Sequence, residues 1–453
     1  MRLPGNLAPL GYRNYSLYWL GHATTKLGRA VEDMGAVWLV YELTGSALLL
    51  GLLGLVRAAP AILLGPIGGA MADRVDQRRM LYITQGMWMS TSLALGVLVL
   101  LGGIELWHVY LLVGIKAIAT TFDGSVREAF FPRLVPREHI GAAVTLSAIA
   151  GRGAALVGPI IGGFAVALAG EASPFLITAG TFPVLMVAVA MMRGIVPLVA
   201  AEGSTLRGEL VEGLRYVLRA PVLSGLLTLQ LVFEIFQMNP VMITIIGREV
   251  LDVGPEGLGG LLSAPALGSL IAIVVVLVTG HANRQGRFAV LCTIAYAAAL
   301  AGFALSGVYA VCYVALVFVG ALDSFLTVTR HSVMQLAAPS HMRGRVMGNM
   351  GTVTRGVSPL AETQSGVLAG IIGGPLAIVA AAGALVVSAA ATARGNPALW
   401  RLRRTDLEHE PDVDPPGAAV TREPDADPAG AGSKPAPDAS PDGADPGTRP
   451  AGG

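Results

Sequence analysis

Charge is scarce in this chain. Only 13% of its 453 residues are Asp, Glu, Lys or Arg, against 53% hydrophobic, where a soluble domain carries about 25% charged residues. A water-soluble fold with that balance would expose large apolar patches and aggregate. An aqueous globule is thereby excluded, and lipid becomes the solvent for residues 15 to 393. Lysine is nearly missing: Lys26, Lys116 and Lys434 stand against 28 arginines. None of the three follows a glycine-rich phosphate loop, which excludes a Walker A nucleotide site. The two cysteines, Cys292 and Cys312, lie inside apolar runs and make neither a disulfide framework nor a metal site. HExxH and GxSxG are absent too, so we read no enzyme chemistry, no cofactor and no metal. Nothing in a net charge of +1 points to nucleic acid. The opening stretch, MRLPGNLAPLGYRNY, has no cleavable-signal layout.

Long apolar runs are what the chain does have. A helix needs roughly 20 residues to cross the hydrocarbon core. Twelve runs qualify, near 15–42, 46–70, 80–101, 106–126, 140–168, 173–195, 222–247, 255–279, 287–307, 309–330, 345–372 and 374–393. Arginines collect in alternate loops: Arg74, Arg78 and Arg79; Arg127, Arg133 and Arg137; Arg207, Arg215 and Arg219; then Arg284 and Arg343. The intervening short loops hold one basic residue, Arg248. The positive-inside bias then puts both termini in the cytoplasm. The expected organisation is a cytoplasmic N-terminus (1–14), a six-helix bundle (15–195), a linker (196–221), a second six-helix bundle (222–393) and a disordered Pro/Asp/Ala-rich cytoplasmic tail (394–453). In the linker, Leu206, Leu210, Leu214 and Leu218 recur every four residues. That pattern is an amphipathic helix, lying on the membrane face or merely joining the halves.

The halves repeat weakly at a spacing near 200 residues. Asp73-Arg74 corresponds to Asn283-Arg284, Arg152 to Arg355, and Pro159 to Pro359. A duplicated six-helix unit places a substrate site between the repeats. Charges inside a membrane are expensive and mark functional sites. Here they concentrate in every third span: Lys26, Arg29, Glu32 and Asp33 in the first, Lys116 and Asp123 in the fourth, Glu234 in the seventh, Asp323 in the tenth, while spans two, five and eleven carry Arg57, Arg152, Arg355 and Glu362 and the interiors of three, six, nine and twelve carry none. Spans one, four, seven and ten are therefore expected around a central cavity, with three, six, nine and twelve against lipid. His22, Lys26, Arg29 and Asp33 follow the spacing of one helix face. Asp33 falls on Glu234 when shifted by the repeat, so two carboxylates are expected to face one cavity. The alternative is that these charges only pair with each other and hold helices together.

Three stretches carry a resemblance. GAMADRVDQRR contains Gly69, Asp73, Arg74, Arg78 and Arg79 in the spacing Gly-x-x-x-Asp-Arg-x-Gly-x-Arg-Arg, with Asp76 in place of the middle glycine. This resembles the signature loop of the major facilitator superfamily, and implies a latch at the cytoplasmic gate. LVGPIIGG, with Gly158, Pro159, Gly162 and Gly163, is similar to the motif of that superfamily's antiporter branch, and implies export. YELTGSALLLGLL, REAFFPRLVPREHI, ELVEGLRYVLRAPVL and MRGRVMG resemble the enterobactin-exporter and macrolide-efflux branch. The resemblance implies an all-α membrane protein, twelve transmembrane helices in two pseudo-symmetric bundles, acting as a monomer in the cytoplasmic membrane. The expected function is proton-driven efflux of a small amphiphilic molecule (drug, siderophore or secondary metabolite) by alternating access. A nutrient importer and a transport-dead receptor or scaffold are the alternatives. Lys26, Arg29, Glu32, Asp33, Lys116, Glu234 and Asp323 are the candidate coupling and cavity residues, with Glu32, Asp33 and Glu234 as proton carriers.

Overall fold

The computed structural model describes residues 5–72, 75–193, 221–279, 285–337, 343–396 and 400, and the side chains of all of these except 5–6, 66–72, 128–129, 132, 221–223, 335–337 and 343–356. Thirteen α-helices and no strand occur among the described residues. They are α1 (Arg13–Thr44), α2 (Ala47–Ala72), α3 (Gln77–Leu100), α4 (Leu106–Phe130), α5 (Ile140–Ala169), α6 (Ser173–Met191), α7 (Pro221–Phe236), α8 (Pro240–Glu249), α9 (Pro255–Thr279), α10 (Gln285–Leu305), α11 (Tyr309–Ala337), α12 (Arg343–Ile372) and α13 (Gly374–Gly395). Counting α7 and α8 as one broken crossing gives the twelve expected spans. Ten are long and apolar enough to cross a membrane. The helix α1, with its four central charges, and α12 are not among those ten.

Local chemistry explains the helix ends. At the α1–α2 turn, Gly45 takes a left-handed φ of 57° and its N–H returns to the Tyr41 carbonyl, a conformation that costs glycine no Cβ clash. Asp76 caps α3, its carboxylate accepting the Arg78 N–H at 2.9 Å. The break between α7 and α8 falls at residues 237–239. Asn239 caps α8 through the Met242 N–H at 3.1 Å, and Pro240 occupies the first turn. The Met238 N–H, freed by the break, donates to the Tyr296 hydroxyl at 2.8 Å. The expectation of one continuous run over 222–247 is corrected here: an Asn-Pro pair starts a new helix inside it.

Within the first half, α1 packs on α5 and α6, and α3 on α4 and α6; within the second, α9 and α10 pack on α11, and α10 on α13. The halves meet through α2 against α12 and α5 against α9. These two pairs exchange under the internal repeat. The third, sixth, ninth and twelfth crossings (α3, α6, α10, α13) keep their main contacts inside their own half.

Among the described residues, the halves are joined at one end. Apolar clusters there mix both halves: Met34 and Trp38 with Met242, Ile246 and Leu258, and Leu50 and Leu53 with Val241 and Ile245. At the other end, Tyr15, Tyr18, Leu81, Phe130 and Leu146 form a cluster from the first half alone. Lipid supplies no hydrophobic drive for helix pairing, so close approach depends on small residues. A Cβ on Gly51 would lie 2.6 Å from the Gly366 Cα, and one on Gly54 would lie 2.6 Å from the Glu362 Cβ. Those contacts bind α2 to α12 at the joined end.

Candidate functional site

The charges of α1 sort into two groups. Glu32 turns into the first half, where it is 4% exposed, pairs with the Lys116 ammonium of α4 and accepts the Ser92 hydroxyl of α3 at 2.7 Å. Two turns along α4 from Lys116, Asp123 takes Arg29 at 3.0 Å and Arg127 at 2.7 Å. Its other oxygen accepts Thr84 at 3.2 Å and Gln85 at 2.8 Å. Arg127 also reaches His22 Nδ1 at 2.6 Å, and His22 stacks on Tyr18. The Trp88 ring lies between the two groups, 4.3 Å from the Arg29 guanidinium and 5.6 Å from the Lys116 ammonium. Buried ions survive only when paired, and each charge of this network has an ionic partner inside one half, although Arg29 Nε and Arg127 Nη2 make no hydrogen bond.

Lys26 and Asp33 are the other group, and both are exposed. The predicted stripe of His22, Lys26, Arg29 and Asp33 is therefore divided: His22 and Arg29 turn inward to Asp123 and Arg127, while Lys26 and Asp33 do not. Asp33 meets Arg57 of α2 at 3.3 Å, and Arg57 meets Glu362 of α12 at 3.3 Å. A charged chain thus crosses from one half to the other.

In the second half, Glu234 of α7 is 5% exposed and accepts from Gln230 at 2.5 Å and Gln237 at 2.6 Å. Gln230, Glu234 and Gln237 form one hydrogen-bonded unit. Asp323 on α11 faces Arg330 of its own helix and Arg152 of α5. Arg330 is 2% exposed, lies 4.7 Å over the Phe233 ring, and its Nε has no hydrogen-bond acceptor.

At the joined end, Arg248 of α8 bonds Glu42 of α1 at 2.9 Å and covers the Trp38 ring at 4.4 Å. Tyr41 donates to Glu249 at 3.3 Å. In the nearby α5–α6 turn, burial and the neighbouring Glu42 charge push the Glu171 carboxyl above the usual range.

The motif residues fall on several surfaces. On α5, a Cβ on Gly162 would lie 2.8 Å from the Val31 carbonyl of α1, and one on Gly158 would strike Ala30. Gly163 and the Pro159 carbonyl instead face α9 at Pro255 and Gly259. Arg78 donates to the Val189 and Met192 carbonyls at the end of α6, within its own half. Arg79 is exposed and 3.8 Å from Asp76. Gly69 lies in α2. Asp73, Arg74, Asn283, Arg284, the 206–218 leucines and the tail beyond 400 lie outside the described residues, as do the side chains of Arg343 and Arg355.

Reading the sequence missed the role of four of these residues. Arg127 was expected in a loop, but it closes the last turn of α4; its spacing of four from Asp123 was the available signal. Arg57 and Glu362 were seen as intramembrane charges but not as partners. Arg330 sat at a span end and was not singled out.

The profile of the transmembrane secretion effector family matches residues 4–425. The chain is a major facilitator superfamily transporter. Among curated relatives, the multidrug efflux pump Tap of Mycolicibacterium fortuitum is 27% identical over 405 residues, 86% of this chain and 96% of Tap. The enterobactin exporter EntS of Salmonella typhimurium (strain LT2) is 24% identical over 328 residues, 72% of this chain and 73% of EntS. Among solved structures, a bacterial homolog of the human lysosomal transporter Spinster, in an inward-facing and occupied conformation, aligns with a TM-score of 0.66 at 14% identity, covering 87% of this chain and 99% of that one. This transporter is thus a multi-pass membrane protein of the twelve-crossing fold that the superfamily shares.

Proposed function

We propose that this transporter exports a small amphiphilic molecule across the cytoplasmic membrane, driven by protons, by alternating access. The observation that carries the reading is the end at which the halves join. It is the end opposite the arginine-rich turns at residues 78–79 and 127–137. The positive-inside bias assigns those turns and both termini to the cytoplasm, so the joined end is the outer mouth. On the α5–α9 line, Arg152 donates to the Ser269 hydroxyl at 3.3 Å. An exporter in this state takes up cargo from the cytoplasmic side. Kinship with Tap and EntS over most of the chain supports the outward direction.

The halves are residues 15–195 and 222–393, acting as a monomer, with Gly69, Asp73, Arg74, Arg78 and Arg79 as the inner gate. Asp33 and Lys26 offer charge to cargo. Glu32 is occupied by Lys116 and Ser92, which leaves Glu234, held by two amides and, among the described residues, by no ion pair, as the carried-proton acid. The test is flux in proteoliposomes under an imposed pH gradient, with enterobactin and amphiphilic dyes as probes. The parent should move a probe uphill, and Glu234→Gln should retain downhill exchange but lose uphill flux. Uphill flux of Glu234→Gln equal to the parent would refute the coupling assignment. Probe movement together with the protons would favour the importer reading.

A further inference from the structure

We propose that Arg57 and Glu362 form the latch of the joined end, and that a proton on Glu362 releases it. The inference rests on the alternating-access reading above and adds a gate acid distinct from Glu234. Arg57 lies one turn from Gly54, and Glu362 one turn from Gly366, so the pair stands directly behind the glycine contact of α2 with α12. One guanidinium nitrogen reaches both Glu362 oxygens, at 3.3 and 3.4 Å. The other reaches Asp33 at 3.3 Å. The side chains of Arg57, Glu362 and Asp33 are 23%, 15% and 60% exposed, so water reaches the cluster while its centre stays protected.

Arg57 therefore has one acid in its own half and one in the other. Of these two bonds, the one to Glu362 joins the halves. A proton on Glu362 leaves a neutral carboxyl on α12 and leaves Arg57 satisfied by Asp33. The attraction across the interface is lost, and small-residue packing alone holds α2 to α12. Movement then needs only that the two halves rock apart.

The charges that face Glu362 are Arg57 from α2 and Asp33 from α1. The other helices packed on α12 have their charges engaged elsewhere. Glu234 of α7 is held by Gln230 and Gln237. Arg248 and Glu249 of α8 bond Glu42 and Tyr41. Asp323 and Arg330 of α11 lie within electrostatic reach of each other, as do His331 and Arg330, and Arg394 of α13 lies in that helix's last turn.

The experiment measures the distance between spin labels at Leu43→Cys and Val250→Cys, two exposed positions, one in each half, at the joined end; Cys292 and Cys312 are buried. Distances are read in lipid nanodiscs from pH 8 to pH 5 without cargo. In the parent the distance lengthens on acidification. Glu362→Gln gives the long distance at every pH, and Glu362→Asp restores a titration. Asp33→Asn removes the fallback partner of Arg57 and moves the midpoint to more acid pH by about half a unit to one unit. A parent distance that ignores pH overturns the proposal. So does a Glu362→Gln protein that titrates as the parent or stays short, and so does an unchanged midpoint in Asp33→Asn, which tests the latch even where Glu362→Gln does not insert. The readout needs neither cargo nor gradient. A protein that fails it and still exports loses only the latch; one that passes it and moves nothing loses only the export reading.

Discussion

Lys116 is a single cation placed where water cannot reach it, 5% exposed and matched to Glu32. Removing one member of a buried pair strands the other and costs about 3–5 kcal/mol, whereas replacing both by neutral groups is often nearly neutral. Lys116→Met should therefore lower the apparent melting temperature by about 5 °C or more, and the double variant Lys116→Met/Glu32→Gln should recover more than half of that. A thermal melt of detergent-solubilised protein checks it; additive losses would show that the two residues are not coupled. At this scale the sequence located the charges well, because an ion in an apolar run is conspicuous. It did not say which neighbour each would meet. Arg29 and Asp33 share a helix face by spacing, yet the long Arg29 side chain reaches Asp123 of α4 while Asp33 meets Arg57 of α2. A helical wheel gives direction from the axis; partner choice depends on what the adjacent helices bring to the same depth.

The helix α5 shows how one element can serve two interfaces. Gly158 and Gly162 are four residues apart and face α1 of the same half. Pro159 and Gly163, one position on, face α9 of the other half. The sequence motif was readable as small-residue packing, but its two faces were not separable until both partners were in place. The consequence is measurable. Gly158→Leu should disrupt the folding of the first half and reduce the yield of monodisperse protein several-fold. Gly163→Leu should leave both halves folded and lengthen the distance between spin labels at 43 and 250. Size-exclusion yield and spin-label distance distinguish the two; the same phenotype at both positions would contradict the division of faces.

At the scale of the molecule, the closed state is a sum of modest cross-half contacts. Arg248 contributes an exposed ion pair with Glu42 and a cation–π contact with Trp38. Together these are worth about 1 kcal/mol, which is a roughly fivefold change in an equilibrium between two states. Arg248→Ala should enlarge the long-distance population at the joined end by about that factor at neutral pH, with no effect on folding. Spin-label distance distributions report it directly; an unchanged distribution would mean that α2–α12 and α5–α9 packing holds the end closed by itself.

What the sequence determined alone is the environment, the number of crossings and the repeat. These follow from quantities that are local and additive: run length against membrane thickness, arginine placement between runs, and composition. The break at Asn239-Pro240 and the Asp76 cap were likewise local, and could be read once the helix ends were known. The tertiary structure alone decided which end of the bundle is joined, and that Arg57, Asp33 and Glu362 form one cluster. Those three lie 24 and 305 residues apart in sequence. The repeat is degenerate at Arg57, so no periodic signal marked the pair. Only the packing of α2 on α12, through glycines that let the backbones approach, brings the two charges within reach of each other.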